Sequence, residues 1–388
     1  MKKTPDQITR LVRSGLESDP VTGAVVPPIH LSTTYAFRGF NEKRDYDYSR
    51  SGNPTRDLLG QALAELEGGA GAIVTATGMA AVTVVGHLLP GGARIVAPHD
   101  CYGGTYRLFD AWRRRGELHC DFVDFGDEAA VRAALSKPAA LLWIETPSNP
   151  LLRITDIEKF AAWGHAAGAL VAVDNTFLSP LWQTPIDLGA DLVVHSTTKY
   201  LNGHSDVVGG AVVSKTAELQ EQVRWWANCL GLTGGAFDSY LTLRGLRTMN
   251  ARLEHHGRNA LQLAQWLHEQ KGVNRVFYPG LPSDPGYELA RRQQRGFGAI
   301  VTLEVAGGHA GVAALVKDLQ YFSLAESLGG VESLIAHPAT MTHAAMDPEA
   351  RHKAGLTDGL VRLSVGIESF DDLRDDLAAG LERARKAV

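Results

Sequence analysis

The sequence predicts an α/β protein built on a largely parallel, seven-stranded sheet covered by helices, with a smaller α/β domain at the C-terminal end. Three observations carry that expectation. Between positions 71 and 210, short apolar runs alternate with amphipathic stretches of helical length. The runs are nearly continuous in Val, Leu, Ile and Ala, as strands are when both faces of the sheet are buried. From Trp225 onward the pattern changes to a long helical tract, followed by a second and shorter alternation. A chain of 388 residues suits two or three domains at about 150 residues each. It can bury roughly three quarters of its unfolded surface, so neither disulfide nor metal is required to hold it.

Taken in order, the first segment is unlike the rest. VVPPIHLSTTYAFRGF is extended and aromatic, and RDYDYSRSGNPTRD is dense in turn formers and charge, so 1–60 reads as an arm followed by a loop. The large domain, 61–250, takes its strands from 72–76, 94–98, 120–123, 141–145, 170–173, 192–195 and 210–213. Helices are expected at 78–89, 106–115, 128–136 and 157–167. The small domain, 251–388, follows a helical tract at about 239–270 and takes its strands from the apolar run 297–305 and from 361–365, with a helix near 310–319.

Composition narrows the function. Hydrophobic residues make up 45% and charged residues 21%, which is globular chemistry rather than that of a disordered chain. A net charge of −5 provides no basic footprint, so nucleic acid is not expected as a partner. No apolar run approaches the about 18 residues of a membrane span, and MKKTPDQITRLVRSG has no apolar core of a signal peptide, so a cytoplasmic protein is expected. Three cysteines, Cys101, Cys120 and Cys229, form no CxxC pair, and His195, His204, His337 and His343 form no metal spacing. No metal is expected.

The chemistry gathers at strand ends. Lys199 stands just past the apolar strand DLVVH in DLVVHSTTKYLNGHSD, where burial would penalise its ammonium form. It is either a solvated loop lysine or a Schiff-base lysine. Asp174 ends another strand in LVAVDNT, at the edge where α/β sheets form their ligand crevice, though a turn or cap would also use an aspartate there. Pyridoxal phosphate needs both groups, a lysine amine and a carboxylate that holds a proton on the pyridine nitrogen. In ATATGMAAV a strand passes through Gly78 and Met79 into a helix whose free N–H groups suit a phosphate, without the glycine spacing of a nucleotide loop. Tyr102 and Arg107 follow in HDCYGGTYRLF, at the start of another helix.

YSRSGNPTR, TGMAA, HDCYGGTYR, ETPSNP, VDNTF, STTKYLNGHSD, AESLGGVESL, PATMTH and VRLSVGIE occur in that order over nearly the whole chain. The ordered set resembles the cysteine and methionine metabolism family of pyridoxal-phosphate enzymes, which has the aspartate aminotransferase-like fold (fold type I). The resemblance implies that Lys199 bonds the cofactor, Asp174 pairs with its ring nitrogen and Tyr102 stacks on the ring. Gly78, Met79, Ser196 and Thr198 would hold the phosphate, Thr176 would line the cofactor site, and Tyr48 and Arg50 would reach in from a neighbouring subunit of a homotetramer built from active-site dimers. Arg362 would grip a substrate α-carboxylate, with Asn149 and Ser327 nearby. Before the resemblance, a buried structural ion pair is the better reading of Arg362.

Within the family the chain looks most similar to the bacterial γ-synthase branch. That branch joins O-succinylhomoserine and cysteine in methionine biosynthesis. NEKRDYDYSR, HDCYGGTYRLFD and WWANCLGLTGGAFDSYLTLRGLRT support this, and Glu326 matches a glutamate of γ-synthases and γ-lyases. Gly103 stands where methionine γ-lyases often carry cysteine. Ser51 stands where some γ-synthases have a second arginine, which leaves Arg107 to meet the distal carboxylate and leaves O-succinyl against O-acetyl homoserine open. Cleavage of cystathionine by a γ-lyase and sulfhydrylation of an acylated homoserine are the alternatives.

Overall fold

The computed structural model describes residues 5–342, 351 and 354–387; His343 and the end of PATMTH lie outside them. The large sheet is built from β1 (Gly71–Thr75), β2 (Arg94–Pro98), β3 (His119–Val123), β4 (Leu141–Glu145), β5 (Leu170–Asp174), β6 (Leu192–His195) and β7 (Gly210–Ser214). Its order is β1-β7-β6-β5-β4-β2-β3. The pairings β6 to β5, β5 to β4, β4 to β2 and β2 to β3 are parallel, and only β7 runs against both its neighbours. The expected seven-stranded, mostly parallel sheet is therefore present.

Because β7 is reversed between two strands that run the same way, the C-terminal ends of β1, β5 and β6 and the start of β7 share one rim. The sheet is buried on both faces. Helices Gly78–His87, Gly103–Arg114 and Ala217–Leu230 cover one face through Val84, Val85, Phe109, Trp112 and Val223, against Trp143 and Val212 of the sheet. Helices Glu128–Leu135 and Ile157–Ala166 cover the other through Val131, Ile157 and Phe160. Burial of apolar side chains on both sides is why β4, LLWIE, reads as an uninterrupted apolar run up to its final glutamate.

The second sheet contains β8 (Val273–Phe277), β9 (Ile300–Val305), β10 (Ser323–Leu324), β11 (Leu334–Ala336) and β12 (Leu360–Ser364), in the order β10-β11-β12-β9-β8. It is mostly antiparallel, with only β10 and β11 parallel. Helix Gly308–Val316 packs on β9 and β12, Met249–His268 packs on β8 and β9, and Phe370–Ala387 packs against both helices.

Three departures from the sequence pattern have physical causes. The tract expected as one helix over 239–270 is two, Ala236–Leu246 and Met249–His268, because the Arg252 guanidinium takes the Gly245 carbonyl at 2.9 Å and ends the first helix there. The run 297–305 starts its strand only at Ile300, since Gly298 holds φ at +83°, a left-handed conformation no strand continues through. Strand β8 was not legible at all: in VNRVF only Val276 is buried. The division expected at residue 60 falls within the helix Pro54–Glu67, which is packed on β1.

Candidate active site

The rim of the large sheet opens into a cavity of about 430 Å³. Gly78, Met79, Tyr102, Arg107, Asn149, Asp174, Thr176, Ser196, Thr198, Lys199, Glu326, Ser327 and Arg362 all line it, so the structure brings together every expected site residue except two. Tyr48 and Arg50 do not border it. Both are exposed on the arm, the Arg50 guanidinium lying 5.6 Å from the Tyr48 ring centre.

At one end of the cavity, β1 leads into the helix Gly78–His87, which Thr77 caps by accepting from the Ala80 N–H at 2.9 Å. The helix N-terminus abuts the loop after β6. A Cβ at Gly78 would stand 2.9 Å from the Ser196 Cβ, so only glycine allows that approach. The Ser196 N–H donates to Thr176 Oγ1 at 2.9 Å, and Thr198 Oγ1 both accepts from the Gly209 N–H at 3.0 Å and donates to the Gly209 carbonyl at 3.2 Å. The result is a cradle of N–H and hydroxyl groups, the arrangement that suits a phosphate.

In the centre, Lys199 Nζ donates to Ser327 Oγ at 2.6 Å. Burial, seconded by the positive charge of Arg362, pushes its pKa down to about 8 against an opposing pull from Glu326. Asp174 lies at the end of β5, and its Oδ1 accepts from the Thr176 N–H at 3.0 Å. Burial raises its carboxyl, while those Thr176 hydrogen bonds and His195 pull it down.

Glu145, which the sequence reading did not single out, pairs directly across from Asp174 in the β4–β5 register. It is 6% exposed, and its Oε2 accepts from the Tyr102 N–H at 2.7 Å. Burial and the neighbouring Asp174 push its pKa well above the carboxylate range. The signal was available: LLWIE ends in an acid as LVAVD does, and the two are successive strands of one sheet.

On the opposite side, Arg362 of β12 is 3% exposed. It donates from Nη1 to Asn149 Oδ1 at 3.0 Å and from Nη2 to the Ser327 carbonyl at 2.8 Å. Burial lowers its pKa to about 10, and its Nε has no partner among the described residues. No carboxylate faces it at salt-bridge distance there, so the structural ion pair is not found among the described residues. Arg107 and Glu326 are the exposed charges at the mouth, and Tyr102 is 43% exposed at the start of Gly103–Arg114. Among the described residues no group of three or more His, Cys, Asp or Glu could hold a metal. Nor is any helix of them long and apolar enough to cross a membrane.

A nucleophilic amine, a buried acid and a phosphate cradle at one sheet rim are what enzymes assemble to run amino-acid chemistry on pyridoxal phosphate. The chain belongs to the Cys/Met metabolism PLP-dependent enzyme family, whose model matches residues 8–382. It is 55% identical over 384 residues to cystathionine gamma-synthase of Escherichia coli (strain K12), covering 99% of this chain and 100% of that one. To cystathionine beta-lyase of Coxiella burnetii it is 47% identical over 375 residues, covering 96% and 97%. Its fold superposes on cystathionine gamma synthase from Xanthomonas oryzae pv. oryzae, solved in complex with aminoacrylate and cysteine, with a TM-score of 0.98, 57% identity and complete coverage of both chains. The expected fold and family are both borne out.

Pyridoxal phosphate is the cofactor of this family, and the residues present fit it. The space that a Cβ at Gly78 would fill is left open beside Ser196, and a lysine amine with a lowered pKa lines the same cavity as that cradle and the half-buried Asp174.

Proposed function

We propose that the chain is a cystathionine γ-synthase, which replaces the succinyl group of O-succinylhomoserine with cysteine to yield cystathionine and succinate. The observation that carries this reading is the charge layout beyond Lys199: a buried fork at Arg362, then an exposed guanidinium at Arg107 and an exposed carboxylate at Glu326, all lining one cavity. A substrate with an α-carboxylate and a distal carboxylate, attacked by a second amino acid, uses all three. The 55% identity to the E. coli synthase over the full length supports it.

In this reading Ser196, Thr198, Gly78 and Met79 hold the phosphate, Thr176 lines the cofactor site, Asp174 faces the ring nitrogen and Tyr102 lies against the ring. The cofactor, bonded to Lys199 at rest, supplies the electron sink that makes a Cα–H bond acidic. Arg362 receives the α-carboxylate through its two Nη groups, exchanging its present partners Asn149 and Ser327, both of which stay close. Lys199 Nζ would take the proton from Cα, hand it back at another carbon of the bound adduct and, as the free amine again, take one from Cβ, which lets the Cγ–O bond break and succinate leave with the bonding electron pair. The cysteine thiolate, its ammonium held by Glu326, forms the new bond at Cγ, and Lys199 returns the protons. Arg107 meets the succinyl carboxylate. Tyr48 and Arg50 reach the phosphate of a neighbouring subunit in a tetramer built as a dimer of active-site dimers.

The test compares products by mass spectrometry from two tubes of cofactor-loaded protein, one with O-succinylhomoserine and cysteine, the other with cystathionine alone. Cystathionine accumulating in the first, with the second nearly inert, is expected. Rapid cleavage of cystathionine to cysteine and 2-oxobutyrate would make the chain a γ-lyase instead.

A further inference from the structure

Beneath the cavity floor, and bordering none of it, lies a polar cluster that the proposed reaction does not use. Glu67, Asn175 and His195 are each 0% exposed. Glu67 Oε1 accepts from Asn175 Nδ2 at 2.8 Å and from His195 Nε2 at 2.7 Å. Asn175 follows Asp174 in the chain, and His195 precedes Ser196. The Asn175 amide is locked from the other side, donating to the Gln183 carbonyl at 2.9 Å and accepting from Gln183 Nε2 at 3.0 Å.

We propose that Glu67 is a positioning residue for the cofactor, its single carboxylate oxygen tying the strand end that carries Asp174 to the strand end that carries Ser196. The inference rests on the reading that those two residues hold the ring nitrogen and the phosphate. Asp174 and Ser196 must stand at one separation to grip both ends of a rigid ring, and backbone pairing of β5 with β6, which runs through Asp174 opposite Val194 and the Asn175 N–H to Val194 carbonyl bond at 2.9 Å, stops short of Ser196. The link through Asn175, Glu67 and His195 continues the connection below the site, as Thr176 does above it.

Stability alone does not account for the cluster. Glu67 is the last residue of the helix Pro54–Glu67, where the helix dipole disfavours a negative charge. Its Oε2 and the His195 Nδ1 are buried with no partner among the described residues. An apolar replacement would avoid both penalties.

The experiment is a titration of apoprotein with pyridoxal phosphate, followed by visible absorption, for the wild type and for Glu67→Ala, Glu67→Gln, Leu63→Ala, Asp174→Ala and Ser196→Ala, with apoprotein melting temperatures measured alongside. Leu63 is a buried core residue of the same helix outside the cluster. Glu67→Ala is expected to raise the cofactor Kd at least about tenfold, and Glu67→Gln, which keeps an acceptor at the same place, to stay within about threefold of wild type. Leu63→Ala is expected to lower the melting temperature and leave Kd within about threefold. A wild-type Kd in Glu67→Ala, or an equal rise in Leu63→Ala, would overturn the proposal. Should Glu67→Ala not fold, His195→Leu decides, a raised Kd supporting the proposal and an unchanged one overturning it. Wild-type affinity in both Asp174→Ala and Ser196→Ala would instead overturn the site reading on which it stands.

Discussion

Lys199 depends on its surroundings for reactivity at neutral pH. Its pKa near 8, below the ordinary 10.5, means that the folded chain binds fewer protons than the unfolded chain between those values. Its contribution to stability therefore rises with pH across that window, the penalty for burying the ammonium being full below about 8. The free amine, which in the proposed reading is the form that bonds the cofactor aldehyde, also increases through about pH 8. The rate at which apoprotein takes up pyridoxal phosphate is accordingly expected to climb through that pH in stopped-flow absorption, with Arg362 and Glu326 as the charged groups facing the amine. Lys199→Ala is expected to abolish turnover, and borohydride treatment, which fixes the cofactor to the wild type, is expected to leave its mass unchanged. Arg362→Lys keeps the charge and loses the fork. It should lower kcat/KM by about 10²-fold, roughly 3 kcal/mol, mostly through KM. Lys199 and Asp174 were legible because each stands at or just past the end of an apolar run, whereas Arg362 lies inside the strand Leu360–Ser364 and its expected role came from the family resemblance. Glu145 fits the same rule and was passed over, since a glutamate after LLWI also reads as an ordinary surface residue ending a strand. The absence of a carboxylate partner for Arg362 among the described residues was beyond the reach of the pattern, because what surrounds a buried arginine is decided by chain segments far away in sequence.

At the scale of elements, the proposed phosphate cradle depends on how closely one helix end approaches one loop. Gly78→Ala would place a methyl group 2.9 Å from the Ser196 Cβ and force the two apart. The expected result is a cofactor Kd raised about tenfold, an effect of roughly 1–2 kcal/mol, with little change in melting temperature of the apoprotein. Legibility of the elements followed burial. Strands packed on both faces, such as β4 and β5, were placed within a residue by their apolar runs. In the smaller sheet, β8 buries only Val276 and β10 is two exposed residues, so hydrophobicity carries almost no record of them. The C-terminal helix Phe370–Ala387 shows a clear amphipathic repeat and was nonetheless not assigned. The break between Ala236–Leu246 and Met249–His268 is set by a guanidinium five residues beyond Arg247, a tertiary contact that helical periodicity does not encode.

For the whole molecule, the arm is the part left unexplained by a single chain. Phe40 is 95% exposed, Val21 88% and Leu31 73%, apolar surface that a soluble monomer rarely displays together. Sedimentation is expected to show a species larger than one chain. If Tyr48 and Arg50 complete a neighbour's site, an inactive Arg50→Ala subunit and an inactive Lys199→Ala subunit should restore activity to each other when refolded together. A random mixture would recover about a quarter of the wild-type sites, because half the dimers are hybrid and each has one intact site. No recovery would confine the site to one chain.

Arg107 and Glu326, unlike Arg362 and Asp174, are exposed at the mouth with no part in the core beneath them. If they meet the substrates as proposed, substitutions there are expected to alter which second molecule is accepted while leaving the fold's stability almost untouched. Divergence within such a lineage can thus proceed by surface changes around an inherited platform. One scaffold is shared, at 55% and 47% identity to this chain, by proteins named as a cystathionine gamma-synthase and a cystathionine beta-lyase.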